Sequence, residues 1–334
     1  MTQPELETGL DLSPFRLDPT GPRVVAIGGG HGLAAALEAV QAYASHITAV
    51  VSVADDGGSS GRLTNGMGVP PPGDIRRCLL ALTPDPGIWF ELFNYRFPGG
   101  PDDAADLSPQ DVAGHALGNL LLVALADLCG GDFGLAVKQA GSLLGALGTV
   151  IPASREAVRM SADIGGRRVD GQVAVARTPG GVERLILGPD GIQANPDALE
   201  AVAAADQIIL GPGSLFTSVL AALTVPGMAE AVEAAPGRIV AVLNLVTQNH
   251  ETAGLTGWDH IRALQVHAGL TRAGGIVAHR GDLSVPDSVS RVEIDSEAAA
   301  GLGWDLYEAD VAATDVRWPA HDPIKLGAAL RQVI

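Results

Sequence analysis

Arg23-Val24-Val25-Ala26-Ile27-Gly28-Gly29-Gly30-His31-Gly32-Leu33 is the stretch on which the fold is decided. Its apolar run, residues 24–27, delivers the backbone into glycines, and residues 33–40 then carry the periodicity of a helix. Glycines let main-chain N–H groups approach a ligand without a Cβ in the way, and a helix start adds fixed positive potential, so the natural guest is a phosphate. The dinucleotide fingerprint would place a third glycine where Leu33 stands, and a P-loop would need a Gly-Lys-Ser/Thr that this sequence lacks. A tight turn that merely closes the strand on the helix is the plain alternative.

Outward from that stretch, a second apolar strand, residues 47–53, runs into Ala54-Asp55-Asp56-Gly57-Gly58-Ser59-Ser60-Gly61-Arg62, read as a loop. Two adjacent carboxylates repel, which makes them an odd choice for an inert turn. Strand, loop, helix, strand, loop is the opening half of a nucleotide-binding sheet, whose ligands gather at the carboxyl ends of the strands. The expected fold is α/β, a Rossmann-like doubly wound and mostly parallel sheet with a small β-rich insertion. Residues 23–334 form one domain in this scheme, behind a disordered extension over 1–22.

The chain has 334 residues, 47% apolar and 18% charged, enough to bury one large core or two modest ones. Only 4% are aromatic, so aliphatic side chains and alanine do the packing. A formal net charge of −17 argues against a surface that coats nucleic acid, which needs clustered Lys and Arg. An anionic ligand would then depend on local donors such as glycine-loop amides. Two distant cysteines, Cys78 and Cys129, suggest reduced thiols and a cytoplasmic setting, and no apolar run is long enough for a membrane span.

Further along, Pro70-Pro71-Pro72-Gly73-Asp74-Ile75-Arg76-Arg77 places Asp74 as an N-cap ahead of a helix over 75–82. Residues 83–111 predict a short helix and then a lid or linker. His115 and Asn119, four apart, share a helical face; a histidine satisfied within the core is the alternative there. Residues 158–190 read as β-hairpins, including segments 173–177 and 182–187. A strand over 206–210 then enters Gly211-Pro212-Gly213-Ser214-Leu215-Phe216-Thr217-Ser218, whose hydroxyls suit a phosphate or a helix cap. Another, 238–243, enters Asn244-Leu245-Val246-Thr247-Gln248. Four such strand ends predict a single composite pocket. His260 and His267 share a face without a third ligand at metal spacing, so zinc is not expected.

Six motifs in order carry a resemblance: 24–33, 53–63, 71–76, His115-Ala-Leu-Gly-Asn119, Gly211–Ser218 and Asn244–Gln248. The chain resembles the gluconeogenesis factor family, which is related to 2-phospho-L-lactate transferase, over about residues 23–330. The resemblance implies a cytoplasmic bacterial protein that binds a UDP-sugar, UDP-N-acetylglucosamine in particular, and serves growth on gluconeogenic carbon sources, cell shape and cell-wall precursor supply. It implies ligand contacts from Gly29, Gly30, His31, Gly32, Asp55, Asp56, Gly73, Asp74, Arg76, His115, Asn119, Gly211, Gly213, Ser214, Thr217, Asn244, Thr247 and Gln248. The transferase relatives use a divalent metal held by aspartates, which makes Mg²⁺ on Asp56 and Asp74 the candidate cofactor site. A homo-oligomer and cell-wall regulatory proteins are the protein partners left open.

The chain departs from the family pattern at three places. Arg77 stands where asparagine is usual. Leu255 stands where an aromatic tends to follow Gln-Pro-Gly-Glu-Thr, here Gln248-Asn249-His250-Glu251-Thr252, and Ala320 stands where arginine commonly precedes His-Asp, with Arg317 nearby. No Ser-His-Asp or Cys-His nucleophile set is present, which favours a binding regulator over an enzyme. A transferase with Mg²⁺ on Asp55, Asp56 and Asp74, or a scaffold for morphogenesis proteins, are the alternatives.

Overall fold

The computed structural model describes residues 17–99, 112–296, 301 and 303–334. Most of the expected N-terminal extension and the second half of the expected lid, residues 100–111, lie outside the described residues. In chain order, β1 (Arg23–Gly28), α1 (Gly30–Val40), β2 (His46–Val51), α2 (Gly58–Met67), α3 (Pro72–Ala81), α4 (Ile88–Asn94), α5 (Leu117–Leu128), α6 (Phe133–Leu144) and β3 (Thr149–Pro152) come first. An insertion follows, with β4 (Arg159–Ile164), β5 (Arg167–Asp170), α7 (Gln172–Arg177) and β6 (Val182–Gly188). Then come α8 (Pro196–Ala203), β7 (Gln207–Leu210), a π-helical turn (Leu215–Leu220) continued by α9 (Ala221–Leu223), α10 (Met228–Ala234), β8 (Arg238–Val242), α11 (Gly257–Ala268), β9 (Gly275–His279), β10 (Asp305–Ala309) and α12 (Pro323–Leu330).

Seven strands form one parallel sheet in the order β10-β9-β8-β7-β1-β2-β3, and three form an antiparallel sheet, β5-β4-β6. β1 lies in the interior between β2 and β7, with Val24 registered on Ile47 of β2 and on Gln207 of β7. Its alternate residues serve two cores: Val25 and Ile27 face one, Val24 and Ala26 the other. A strand buried on both faces has to be apolar at every position, which is why these strands read as unbroken apolar runs. Leu33, Leu37, Ile75, Leu122, Val137 and Leu326 bring α1, α3, α5, α6 and α12 onto one face. Ala198, Met228, Ile261 and Met160 bring α8, α10, α11 and the insertion onto the other.

Four elements differ from expectation for identifiable reasons. Residues 58–62, read as loop, open α2, a helix rich in glycine and serine that starts after Gly57. Gly61 lies so close to the Asp56 carbonyl that a Cβ there would collide with it, so the entry into this helix demands glycine despite its low helix propensity. Residues 173–177, read as a strand, form α7. The Asp56 carboxylate accepts hydrogen bonds from the Gln172 and Val173 amides at 2.9 and 3.0 Å, so the helix is capped from 116 and 117 residues away. Asp74 is no N-cap: Pro71 holds that position and Pro72 opens the helix, which leaves Asp74 as its third residue, within the first turn. The edge strand β10 went unforeseen, its Asp305 and Glu308 giving it a polar look.

Both cysteines are free thiols. Among the described residues no single helix is long and apolar enough to cross a membrane.

Candidate functional site

The chain leaves β1 toward β2 and β3 on one side, and returns to the centre as β7 before continuing to β8 on the other. Neighbouring strands whose connections diverge leave a crevice at their carboxyl ends. A cavity of about 570 Å³ occupies it, lined by Gly29, Gly30, His31 and Gly32 after β1, by Gly213, Ser214 and Ser218 after β7, and by Asn244, Thr247 and Gln248 after β8. Trp318, Pro319, Ala320 and His321, ahead of α12, close it.

Each lining group is fixed by a named contact. Gly29, the residue before α1, is extended and supplies no side-chain cap, which leaves the first-turn amides of His31 and Gly32 without intrahelical acceptors. The Gly30 amide donates to Asp74 Oδ2 at 2.7 Å, and Arg77 pairs with Asp74 on the far side. A Cβ on Gly29 would stand 2.6 Å from Asp74 Oδ2 and 3.1 Å from Ser218 Oγ, so glycine is required where three elements meet. On Gly32 a Cβ would stand 2.5 Å from the Pro212 carbonyl oxygen. Asn244 clamps the second glycine loop: its Oδ1 accepts from the Gly213 amide at 3.0 Å and its Nδ2 donates to the Gly213 carbonyl at 2.8 Å. Gln248 Nε2 donates to Ser214 Oγ at 3.1 Å, while its Oε1 is buried without a hydrogen-bond partner. Thr247 Oγ1 accepts from the Ser290 amide at 3.0 Å.

The π-helical turn is held from outside. Glu251, 6% exposed, accepts from the amides of Phe216 and Thr217 at 2.8 and 3.0 Å and from the Thr217 hydroxyl at 3.3 Å. Burial raises its carboxyl pKa, against the pull of the Thr217 and Phe216 amides. Thr217 is thereby turned to Glu251 and away from the cavity.

The structure brings nine of the expected residues to this cavity: Gly29, Gly30, His31, Gly32, Gly213, Ser214, Asn244, Thr247 and Gln248. Asp55, Gly73 and Asp74 sit beside it. A Cβ on Gly73 would collide with Ser60 Oγ and stand 3.9 Å from Asp55 Oδ2. Burial raises the Asp55 pKa to about 6, with the Gly57 amide opposing and the Asp74 charge adding to the rise. Gly211 lies behind the loop, against Val242 and Val219. Arg76 and Asn119 are buried and bonded to each other, Nε to Oδ1 at 3.0 Å, with Arg76 also donating to the Phe93 carbonyl. Burial and the neighbouring Arg77 charge lower the Arg76 pKa to about 10. His115 is buried, 3.1 Å from Arg62 Nε.

Ser218, whose hydroxyl the sequence already offered to a phosphate, also lines the cavity, and the unforeseen polar and aromatic lining residues are Trp318 and His321. Burial lowers the His321 pKa to about 4, a hydrogen bond to Leu243 opposing, so the ring stays neutral near pH 7. No Asp, Glu, Lys or Arg is among the described lining residues, and amides and hydroxyls supply the polarity there.

A family model for 2-phospho-L-lactate transferase CofD matches residues 24–312. The chain belongs to the CofD family. Members similar to it include the gluconeogenesis factor of Bacillus subtilis (strain 168), 37% identical over 296 residues, covering 88% of this chain and 89% of the relative. The gluconeogenesis factor of Listeria innocua serovar 6a is 35% identical, covering 93% and 95%. A crystal structure of a UPF0052 protein from Bacillus halodurans superposes with a TM-score of 0.85 at 33% identity, covering 93% of this chain and 99% of that one.

The metal expected on Asp56 and Asp74 does not fit this CofD-family chain. Both Asp56 oxygens are engaged by the α7 amides, and Asp74 is shared between Gly30 and Arg77. No group of three or more His, Cys, Asp or Glu suited to a metal occurs among the described residues. Leu255, at the position where the family tends to carry an aromatic, lines a second cavity of about 540 Å³ between the insertion and α11. A third, of about 520 Å³, lies beside α1, α3 and α4 and is lined by Arg76, Arg77 and His31.

Proposed function

We propose that this protein is a cytoplasmic nucleotide-sugar-binding regulator. It takes UDP-N-acetylglucosamine and acts in growth on gluconeogenic carbon sources and in control of cell shape and cell-wall precursors. The convergence of three strand-end loops on one crevice supports it most strongly: the α1 start, the Gly213–Ser214 loop and the Asn244–Gln248 loop all border the 570 Å³ cavity. That volume falls within the ordinary range for small-molecule sites. First-turn amides and hydroxyls suit a diphosphate, and amide side chains suit a base or sugar. Kinship with gluconeogenesis factors supports the physiological role.

Calorimetric titration with UDP-N-acetylglucosamine, with and without Mg²⁺, tests it. Binding at micromolar affinity, indifferent to the metal, with the ligand recovered intact after hours, is the expected result. Absence of binding in both conditions refutes it. A transferase is the second reading, supported by the family model's description. Release of UMP or UDP in the same mixture would favour it.

A further inference from the structure

We propose that Trp318 is the base-stacking residue of this site, so that the heteroaromatic ring of a bound nucleotide lies against its indole at the mouth of the glycine-loop cavity. The inference rests on the nucleotide reading above and adds the residue that selects for a base. Trp318 is the sole Phe, Tyr or Trp among the described lining residues, and it is 51% exposed. A half-exposed indole on a cavity rim leaves apolar area in water that a flat ring would cover. The glycine loops line one part of the cavity and the Trp318–His321 segment another, so a ligand held by its diphosphate at the loops can reach the indole with its remaining groups.

The segment carrying the indole is anchored. Ala312 and His321 form an antiparallel bridge, the Asp322 amide donates to the Val311 carbonyl at 2.9 Å, and the Ala313 amide donates to the Ala320 carbonyl at 2.9 Å. Lys325 Nζ ties the base of the loop to the Ala312 carbonyl at 2.9 Å and to Asp310 at 2.8 Å. Pro319 follows directly and restricts the backbone at Trp318. An indole presented on a fixed loop loses little freedom on stacking, which is what makes such a contact productive. Leu255 offers no alternative, since it faces the cavity between the insertion and α11.

The test titrates the full-length protein, Trp318→Ala and Trp318→Phe with UDP-N-acetylglucosamine and with UDP, by calorimetry and by tryptophan fluorescence. Base stacking is worth roughly ten- to hundred-fold in affinity on removal of the aromatic. Trp318→Ala should lose that much for both ligands and Trp318→Phe should recover most of it. Ligand should quench wild-type emission, and in Trp318→Phe the quench should vanish while binding persists. Equal UDP affinity in wild type and Trp318→Ala overturns the inference and leaves the nucleotide reading standing. Weakening confined to the sugar nucleotide places the indole on the sugar and overturns it too. If wild type binds neither ligand, the nucleotide reading fails and Trp318 falls with it.

Discussion

Replacing Glu251 by alanine should unlock the π-helical turn that carries Ser214 and Ser218 to the cavity. The side chain is nearly enclosed and takes three donors, the amides of Phe216 and Thr217 and the Thr217 hydroxyl. Leaving a buried donor unpaired costs about 1–3 kcal/mol, and water entering from the adjoining 540 Å³ cavity offsets part of that. The net loss should be about 3–5 kcal/mol, which for a chain of 334 residues lowers Tm by about 4–7 °C. Glu251→Gln keeps one acceptor oxygen and should lose about a third as much. The pH dependence has a definite sign. Because burial raises the folded-state pKa above its ordinary 4.5, the folded chain holds the proton more tightly than the unfolded one. This group's contribution to stability therefore falls as pH rises from about 4.5 through the folded pKa, and the glutamine variant should lack that slope. Calorimetric melts of the three proteins between pH 4 and 8 decide the matter. An alanine variant as stable as wild type, or a glutamine variant as damaged as the alanine one, would refute the account.

Gly32→Ala sets a Cβ 2.5 Å from the Pro212 carbonyl oxygen, backbone against backbone, so the two glycine loops must part. It should cost about 2–4 kcal/mol by thermal melt and weaken nucleotide binding at least tenfold, and unchanged binding would separate these loops from the ligand site. Asp56→Ala should cost about 1 kcal/mol through loss of the α7 cap while leaving any Mg²⁺ response as in wild type; a metal response abolished by it would place Asp56 on the metal. The His321 ring, followed by its Hε1 proton resonance, should stay neutral down to about pH 4. With a folded pKa below the unfolded 6.5, its contribution to stability is full above 6.5 and is lost as pH falls toward about 4; titration near 6.5 in the folded protein would show that the ring is not desolvated.

The parallel sheet was legible because Val24, Val25, Ala26 and Ile27 are buried to both sides and have to be apolar together. The glycine loops were legible because close approach of main chain leaves no room for other residues, as at Gly29 and Gly32. Elements whose stability comes from elsewhere in the chain were hidden. α7 looks like a strand until Asp56 is known to cap it, and α2 looks like a loop until its packing is seen. Asp74 and Thr217 could be placed near the crevice but not oriented, since their partners, the Gly30 amide and Glu251, lie 44 and 34 residues away. Trp318 carried a faint signal, one of four tryptophans in a chain poor in aromatics, but nothing local ties it to a glycine loop nearly three hundred residues earlier.

The central pairing of β1 with β7 joins Val24 to Gln207, and the cavity needs Trp318 and His321 as well. On the ribosome, β1 must therefore wait with one edge bare until more than half of the polypeptide has emerged, and an unpaired apolar edge invites association with other nascent chains. Truncation before the tenth strand would remove the Trp318–His321 wall and leave the crevice open on that side, so a small molecule that needs this wall favours chains that include it and would act on them as a post-synthetic stabiliser.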